Sequence, residues 1–168
     1  SIIIKNKTIN LSLLSEILSI PTFSEIESEI NNIEPLKLYK TIDDLNYLFG
    51  TNLQEVLLNK LNDIDKNITK VWPEGKDERK LIETIWKLLL HSKNKEIKSK
   101  IINYVNSKSM TLSKAALNVF TRISCPEREV ISNMFFNKWK NNKVVLDNWF
   151  FFKASIEENN NQNSIEDL

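Results

Sequence analysis

The chain has 168 residues, 41% hydrophobic and 27% charged, which is enough for one globular domain with a hydrophobic core. With only 2 glycines, 4 prolines and 1 cysteine, collagen-like and disulfide-stapled architectures are excluded, and tight β-hairpins are disfavoured. The 23 basic and 22 acidic residues leave a net charge of +1, so no global field attracts nucleic acid or anionic lipid. The composition predicts an all-α protein.

No segment predicts membrane insertion or secretion. The longest apolar runs, Ile2–Ile4 and Trp149–Phe152, are far shorter than the roughly 20 residues that span a bilayer. The N-terminus lacks the basic region and long apolar stretch of a signal peptide, and the single Cys125 favours a reducing compartment. We therefore expect a cytoplasmic protein with no membrane partner. Because the chain begins at Ser1 rather than Met, we also expect it to be an excised segment.

The N-terminal region predicts a short extended segment and two helices. Residues 1–9 alternate loosely between apolar and polar side chains, which is typical of a short strand or an extended lead-in. From Leu11 to Leu18 the apolar residues have helical spacing, and Pro21 ends the run. Thr22 and Glu25 have the spacing of a capping box for a second helix. The apolar stripe of that helix would be Ile26, Ile30 and Ile33.

A long third helix and a linker follow. Pro35 suits the first turn of a helix, and the apolar period continues on both sides of Gly50. Gly50 is therefore either a helix end or an interior residue; we favour one helix over 36–65, in which the glycine costs about 1 kcal/mol. Residues 71–76 contain both proline and glycine and predict a linker.

The remaining sequence predicts a series of short helices. Four patterns cover 76–91, 94–107, 111–123 and 127–141, and a fifth begins near Val144. The connections are short, so sequential helices should pack antiparallel, and the spacing is that of stacked helix-pair repeats. We expect an incomplete helical domain over 1–156, and a polar loop with the start of a truncated helix over 157–168.

No group of residues predicts catalysis or metal binding. The zinc-peptidase motif H-E-x-x-H needs two histidines, whereas the chain has only His91. His91 should end an apolar helix, where an imidazolium interacts favourably with the helix C-terminus. Cys125 has no nearby base and should be an inert thiol. We therefore predict no catalytic residue and no metal ligand in this chain, and no residue is identified for substrate binding.

The charged groups predict solvated helix faces. Carboxylates are adjacent at Asp43-Asp44, Asp77-Glu78 and Glu157-Glu158, and neighbours in sequence do not share a helix face. Two lysine groups are denser than the rest: Lys93, Lys95, Lys98 and Lys100, and Lys138, Lys140 and Lys143 around Trp139. A single-stranded nucleic-acid module is the alternative that these lysines support. Without a stacking platform or net positive charge, we expect no nucleic-acid partner.

The aromatic residues predict a core. Large rings at helical spacing bury much area, although a peptide groove lined by them is the alternative. The expected core aromatics are Trp86, Phe135, Phe136, Trp139, Trp149 and Phe150. Asp147 is expected to cap a helix that begins near Trp149, a contribution of about 1 kcal/mol.

The stretch from Met110 to Ser155 carries a more specific pattern. It contains, in order, Met110-Thr111, Ala115-Ala116-Leu117, Arg128, Lys138-Trp139, Val145-Leu146-Asp147, Trp149-Phe150 and Ala154-Ser155. This pattern resembles the C-terminal helical region of the bacterial-type aminopeptidase N family, zinc-dependent enzymes that remove N-terminal residues from peptides. Weaker family patterns match at Ile33-Glu34-Pro35 and at Arg79 with Leu81, so the resemblance covers about residues 18 to 156. The departures are Glu83, Leu112 and Asn148, where the family has Asn, Asp and Lys.

The resemblance implies a fold and a role. The fold is a right-handed superhelix of antiparallel helix pairs, of HEAT or armadillo type. The zinc of the family and its ligands lie in earlier domains, so none of those residues can be assigned here, and the chain alone should be inactive and without a cofactor. Its partners would be the remaining domains of the parent enzyme and, through them, peptide substrates, with the helical domain shaping or gating the substrate chamber. The alternative is a stand-alone helical-repeat adaptor that binds a protein partner.

Overall fold

The computed structural model describes residues 2–65 and 74–155, and every regular element in these ranges is an α-helix, which confirms the all-α prediction. The chain divides into two compact units, Ser1–Asn94 and Lys95–Leu168. The helices are α1 (Ile2–Lys5), α2 (Leu11–Leu18), α3 (Phe23–Glu27), α4 (Pro35–Asn52), α5 (Gln54–Asp65), α6 (Lys76–His91), α7 (Lys95–Val105), α8 (Met110–Asn118), α9 (Glu127–Trp139) and α10 (Lys143–Ser155).

The N-terminal residues are helical rather than extended. The extended segment expected over 1–9 is wrong over Ile2–Lys5, because these residues form α1. Helix α1 contacts α5, and Ile4 is buried, so packing overrides the loose alternation. Helix α2 begins where the sequence predicts, and the Asn10 side chain caps it by accepting a hydrogen bond from Leu13 N at 3.1 Å.

Helix α3 has the predicted start but not the predicted length. The capping box is confirmed, since Thr22 Oγ1 accepts from Glu25 N at 3.4 Å and Glu25 Oε2 accepts from Thr22 N at 2.7 Å. The helix has only 5 residues, so the isoleucine stripe does not form and Ile30 is 55% exposed. Asn32, in the connection between α3 and α4, has a φ of 61°, a left-handed conformation that asparagine tolerates.

Helices α4 and α5 are separate. Pro35 occupies the first turn of α4 as predicted, but the single helix over 36–65 is wrong, because Leu53 leaves helical geometry with φ −106° and ψ 6°. Just before the break, Asn52 Nδ2 donates to Leu48 O at 2.8 Å. Such local side-chain bonds compete with regular helix.

Helix α6 forms the centre of unit 1 and contacts α2, α4 and α5. Its inward side chains are almost fully buried: Leu81, Ile82, Ile85, Trp86, Leu88 and Leu89. Each end is flanked by a residue with a left-handed backbone conformation. These residues are Gly75, with φ 69° before the helix, and Lys93, with φ 61° after it. These backbone conformations are not helical, so α6 does not continue past either residue.

The closest approach of α4 to α6 is at Gly50. A Cβ added to this residue would overlap the Leu88 carbonyl oxygen and lie 2.8 Å from its carbonyl carbon. It would also lie 3.3 Å from Ser92 Cβ. Position 50 is thus interior to α4, as favoured from the sequence, but glycine is required there rather than merely tolerated.

Unit 2 contains α7 to α10. Helix α7 contacts α8 and α9, while α10 contacts α8 and α9. Two tryptophans are tied to serines on the preceding helix: Trp139 Nε1 donates to Ser113 Oγ, and Trp149 Nε1 donates to Ser132 Oγ, each at 2.9 Å. Both serines are buried, so each indole N–H is satisfied inside the unit.

The helix limits of unit 2 differ from the sequence prediction at two places. The helix expected over 111–123 ends at Asn118, and the next residues form turns. Asp147 does not cap a helix, because it is an exposed residue inside α10. Near the start of that helix, Asn142 Oδ1 accepts instead from Val145 N at 3.3 Å.

The predicted linker and tail fall largely outside the described residues. Residues 71–73 are not described, whereas Glu74 and Gly75 form the turn before α6. The polar loop and truncated helix expected over 157–168 also lie outside the described ranges.

Replacement of Gly50 by alanine tests the α4–α6 contact. Alanine has the better helix propensity by about 1 kcal/mol, but overpacking against the Leu88 backbone should outweigh that gain, with a net loss of about 1–3 kcal/mol in the free energy of unfolding. Urea denaturation measures the change. The exposed Thr51 supplies the control, since T51A should be neutral or slightly stabilising; equal stability of G50A and T51A would contradict the close approach.

Candidate functional site

His91 is a buried, neutral side chain at the end of α6. Its Nδ1 donates to Lys87 O at 2.8 Å, and its Nε2 lies 3.6 Å from Asp43 Oδ1 without a hydrogen-bond partner. Burial lowers the pKa of His91 below its usual value, against the raising effects of Lys87 O and of Asp43. The imidazolium expected at this helix end is therefore replaced by a neutral imidazole at pH 7.

Cys125 is not an activated nucleophile. Burial is the main cause that raises the pKa of its thiol, and a hydrogen bond to Glu127 raises it further, while Lys98 opposes the shift. The thiol is protonated at neutral pH, and protonated thiols are poor nucleophiles. Glu127 forms an ion pair with Lys98 at 2.7 Å.

The described carboxylates lie at separate places in the fold. Asp77 and Glu78 lie in the first turn of α6, where acidic groups face the positive helix end. Asp43 faces His91, and the pair Glu157-Glu158 is outside the described residues. In the described part of the chain, no group of three or more His, Cys, Asp and Glu side chains is arranged to hold a metal ion. These residues do not fit a zinc site.

The lysine groups are partly neutralised. Lys98 pairs with Glu127 and Lys100 with Glu96, at 2.7 and 2.9 Å. Lys138 Nζ contacts Ser107 O and lies 5.0 Å from the centre of the Trp139 ring, and burial lowers its pKa. These contacts connect Lys98, Lys100 and Lys138 to other residues of unit 2.

The aromatic core differs in membership from the prediction. Trp86 and Phe135 are fully buried as expected, while Phe136, Trp139 and Trp149 are half-buried. The expectation that Phe150 belongs to the core is wrong, because this residue is 39% exposed. Two residues that the sequence reasoning missed, Phe120 and Phe152, are fully buried.

Two buried arginines support turns before helices. Arg79 Nη1 donates to Glu74 O at 3.0 Å, and Arg128 Nε donates to Ile123 O at 3.1 Å. In both cases the acceptor is five residues earlier, in the connection before α6 or α9. These arginines, which carry part of the family resemblance, hold backbone carbonyls of the connections before their helices.

A cavity of about 310 Å³ lies among α2, α3, α4 and α6 within unit 1. Its wall includes Asn46, Thr84 and Lys87 together with glutamates from α2, α3 and α6. No sequence pattern predicts this cavity, because its lining residues, from 16 to 88, meet only through the packing of the helices. It is a candidate small-molecule site of unit 1.

Some of the exposed apolar residues share one side of a helix. Leu45, Leu48 and Phe49 on α4 are 36%, 50% and 39% exposed, and their spacing places them on one side of the helix. On α10, Val144 and Phe151 are 78% and 70% exposed and two turns apart. Contiguous apolar faces of this kind are typical of contact surfaces.

The comparisons with known proteins agree with the helical-repeat prediction. A family model described as "Domain of unknown function (DUF3458_C) ARM repeats" matches residues 1–168. Aminopeptidase N of Escherichia coli (strain K12) is 24% identical over 156 residues, which is 91% of this chain and 18% of that protein. The crystal structure of Legionella pneumophila aminopeptidase A in complex with aspartic acid matches 99% of this chain and 21% of its own, with a TM-score of 0.84 and 19% identity.

These matches confirm the predicted resemblance and the helical-repeat fold. The chain spans about a fifth of the length of either aminopeptidase. No described helix has both the length and the apolar character needed to cross a bilayer.

The lowered pKa of His91 predicts how the free energy of unfolding depends on pH. The unfolded histidine has a pKa of about 6.5, whereas the folded pKa is lower, so the unfolded chain binds more protons between the two values. Stability should therefore fall as the pH drops below about 6.5, and level off below the folded pKa. Urea denaturation from pH 7.5 to pH 5 should show this slope, and H91Q should flatten it. An unchanged slope in H91Q would contradict a buried neutral imidazole.

Proposed function

Because the chain belongs to the DUF3458_C family of ARM-repeat domains, we propose that it is the non-catalytic helical domain of a zinc-dependent aminopeptidase. The observation that carries the proposal is the family match over the whole chain, together with the similarity to aminopeptidase N along 91% of it. The parent enzyme would remove N-terminal residues from peptides in the cytoplasm. Its zinc would be held by residues outside this chain.

The chemistry of the described residues supports a non-catalytic role. His91 is buried and neutral, Cys125 is protonated, and Arg79 and Arg128 hold loop carbonyls. A metallo-aminopeptidase requires a set of metal ligands, and no group of three or more His, Cys, Asp and Glu side chains among the described residues is placed to hold a metal ion. The domain would instead contribute surface and rigidity to the parent enzyme.

The exposed apolar face of α4 supports a packing role. In this proposal Leu45, Leu48 and Phe49 contact the remaining domains of the enzyme, since a chain that spans about a fifth of its relatives leaves most of the parent polypeptide to cover such a face. By this contact the domain would form part of the wall of the substrate chamber and restrict which peptides enter.

A stand-alone adaptor is the second candidate. The same apolar faces on α4 and α10 would suit a separate protein partner. The reading frame discriminates between the two candidates: a frame that extends upstream through H-E-x-x-H supports the peptidase domain, whereas a start codon next to Ser1 supports the adaptor.

The absence of catalysis is directly testable. The chain alone, with added zinc, should not hydrolyse an aminoacyl chromogenic amide, because it lacks a ligand set. The full parent polypeptide should hydrolyse the same substrate and lose activity with a chelator. Turnover by the isolated chain that a chelator abolishes would overturn the proposal.

The packing role is testable with a matched pair of variants in the parent polypeptide. The double variant L45Q/F49Q removes apolar side chains from the exposed face of α4, and K40Q changes an exposed residue on another side of the same helix. We expect L45Q/F49Q to lower the Tm of the parent enzyme by several degrees more than it lowers that of the isolated chain. K40Q should change neither. An equal shift in both proteins would show that this face is not covered in the parent.

A further inference from the structure

A small pocket lies where α1 packs against α5 in unit 1. Its volume is about 130 Å³, which is below the roughly 300–1,000 Å³ of pockets that hold organic ligands. Ile4 and Val56 form the apolar part of its lining. Ile4 is the buried residue of α1, at 4% exposure, so the packing of α1 on α5 forms the pocket. Its size suits a compact ion.

The lining of this pocket has a local excess of positive charge. Among its described residues are three lysines, Lys5, Lys7 and Lys60, and one aspartate, Asp63, which leaves a balance of +2. The whole chain has a net charge of only +1. Like charges around one concave site raise its potential and concentrate counter-ions there. The pocket is therefore suited to an anion.

The charges of these lysines are not neutralised by ion pairs. Lysines elsewhere pair with glutamates, as in Lys80 with Glu16. Within the described ranges, no ion pair involves Lys5, Lys7 or Lys60. An anion in the pocket would relieve the repulsion among the three ammonium groups without first breaking an existing pair.

The backbone that carries Lys5 and Lys7 is held in place. Lys5 is the last residue of α1. Beyond it, Asn6 Oδ1 accepts hydrogen bonds from Thr8 N at 2.9 Å and from Thr8 Oγ1 at 2.8 Å, which closes a turn around Lys7. Lysine side chains are long and flexible. From these two positions and from Lys60 on α5, three ammonium groups can converge on one ion.

Asp63 makes the pocket selective for an anion that carries a proton. The spacing of Asn59, Lys60 and Asp63 places them on one side of α5. An ionised carboxylate only accepts hydrogen bonds, so Asp63 repels sulfate, which has no proton to donate. It accepts from the P–OH group of monohydrogen phosphate. The Asn59 amide is a further donor to the phosphate oxygens.

We propose that this pocket binds inorganic phosphate, with Lys5, Lys7 and Lys60 as the counter-charges and Asp63 as the acceptor for the P–OH group. The bound ion would bridge α1 and α5 and stabilise the folded state of unit 1, because it binds only where the two helices meet. The proposal does not rest on the proposed function, since it concerns an ion site on this chain and no reaction.

Three anions separate the chemistry in NMR titrations of the full chain. Phosphate, sulfate and glycerol 3-phosphate are compared at constant ionic strength and at about pH 8, where phosphate and its monoesters are dianions. We expect phosphate to cause saturable shifts of the backbone amides of residues 4–8 and 56–63 at millimolar concentration. Sulfate and the monoester, which lack a P–OH proton, should bind about tenfold more weakly.

Variants of the lining test the role of each charge. K7Q and K60Q should each weaken phosphate binding at least about threefold, since each removes one counter-charge. D63N removes the carboxylate that repels sulfate, so sulfate should bind more tightly and the preference for phosphate should disappear. Loss of structure alone would weaken both anions. K40Q and D44N change exposed charges on α4 outside the pocket and should leave binding of both anions unchanged.

Each contrary result overturns the proposal. It fails if phosphate causes no saturable shift at tens of millimolar, if sulfate or glycerol 3-phosphate binds the unaltered chain as tightly as phosphate, or if K40Q weakens binding as much as K7Q and K60Q. The comparison of the three anions on the unaltered chain decides the question even if a variant does not fold.

Discussion

The organisation of unit 1 depends on how closely α4 approaches α6. The Leu88 carbonyl occupies the space that a Cβ at position 50 would need, so the two backbones meet only because that residue is glycine. Three of the buried polar residues of the unit, Asn46, Arg79 and His91, lie on the same pair of helices. His91 on α6 faces Asp43 on α4, and Asn46 joins the cavity wall one turn further along α4. A change in this spacing would alter the histidine environment and the cavity together.

Local signals predicted much of the fold, and tertiary contacts explain the failures. Asn10, the Thr22–Glu25 capping box and Pro35 each act within one turn of the chain, and the structure places helix starts there. The break between α4 and α5 at Leu53 was not predicted, because neither Leu53 nor its direct neighbours are proline or glycine. From the sequence, Gly50 was predicted to be either a helix end or an unfavourable interior residue. Its packing role was not predicted, because the Leu88 backbone that requires a glycine there is distant in sequence.

The chemistry of the chain was partly accessible from residue counts. One histidine and one cysteine limit the catalytic groups available, and the helix position of His91 was predicted correctly. Its protonation state was not, since burial lowers its pKa and burial depends on neighbouring helices. Phe150 and Phe152 show the same limit: an unbroken apolar run has no period, so it does not reveal which ring faces inward. The cavity had no sequence signal, because its wall comes from four helices.

The two indole–serine bonds of unit 2 have a consequence for how this sequence diverges. Trp139 depends on Ser113, and Trp149 on Ser132, for the partner of a half-buried N–H. If alanine replaces the serine, the tryptophan keeps its apolar contacts, but its indole N–H is left without an acceptor. If phenylalanine replaces the tryptophan, the serine hydroxyl loses the indole donor. Each bond therefore couples the stability effects of substitutions at two positions on different helices. Substitutions at the two positions should covary among relatives.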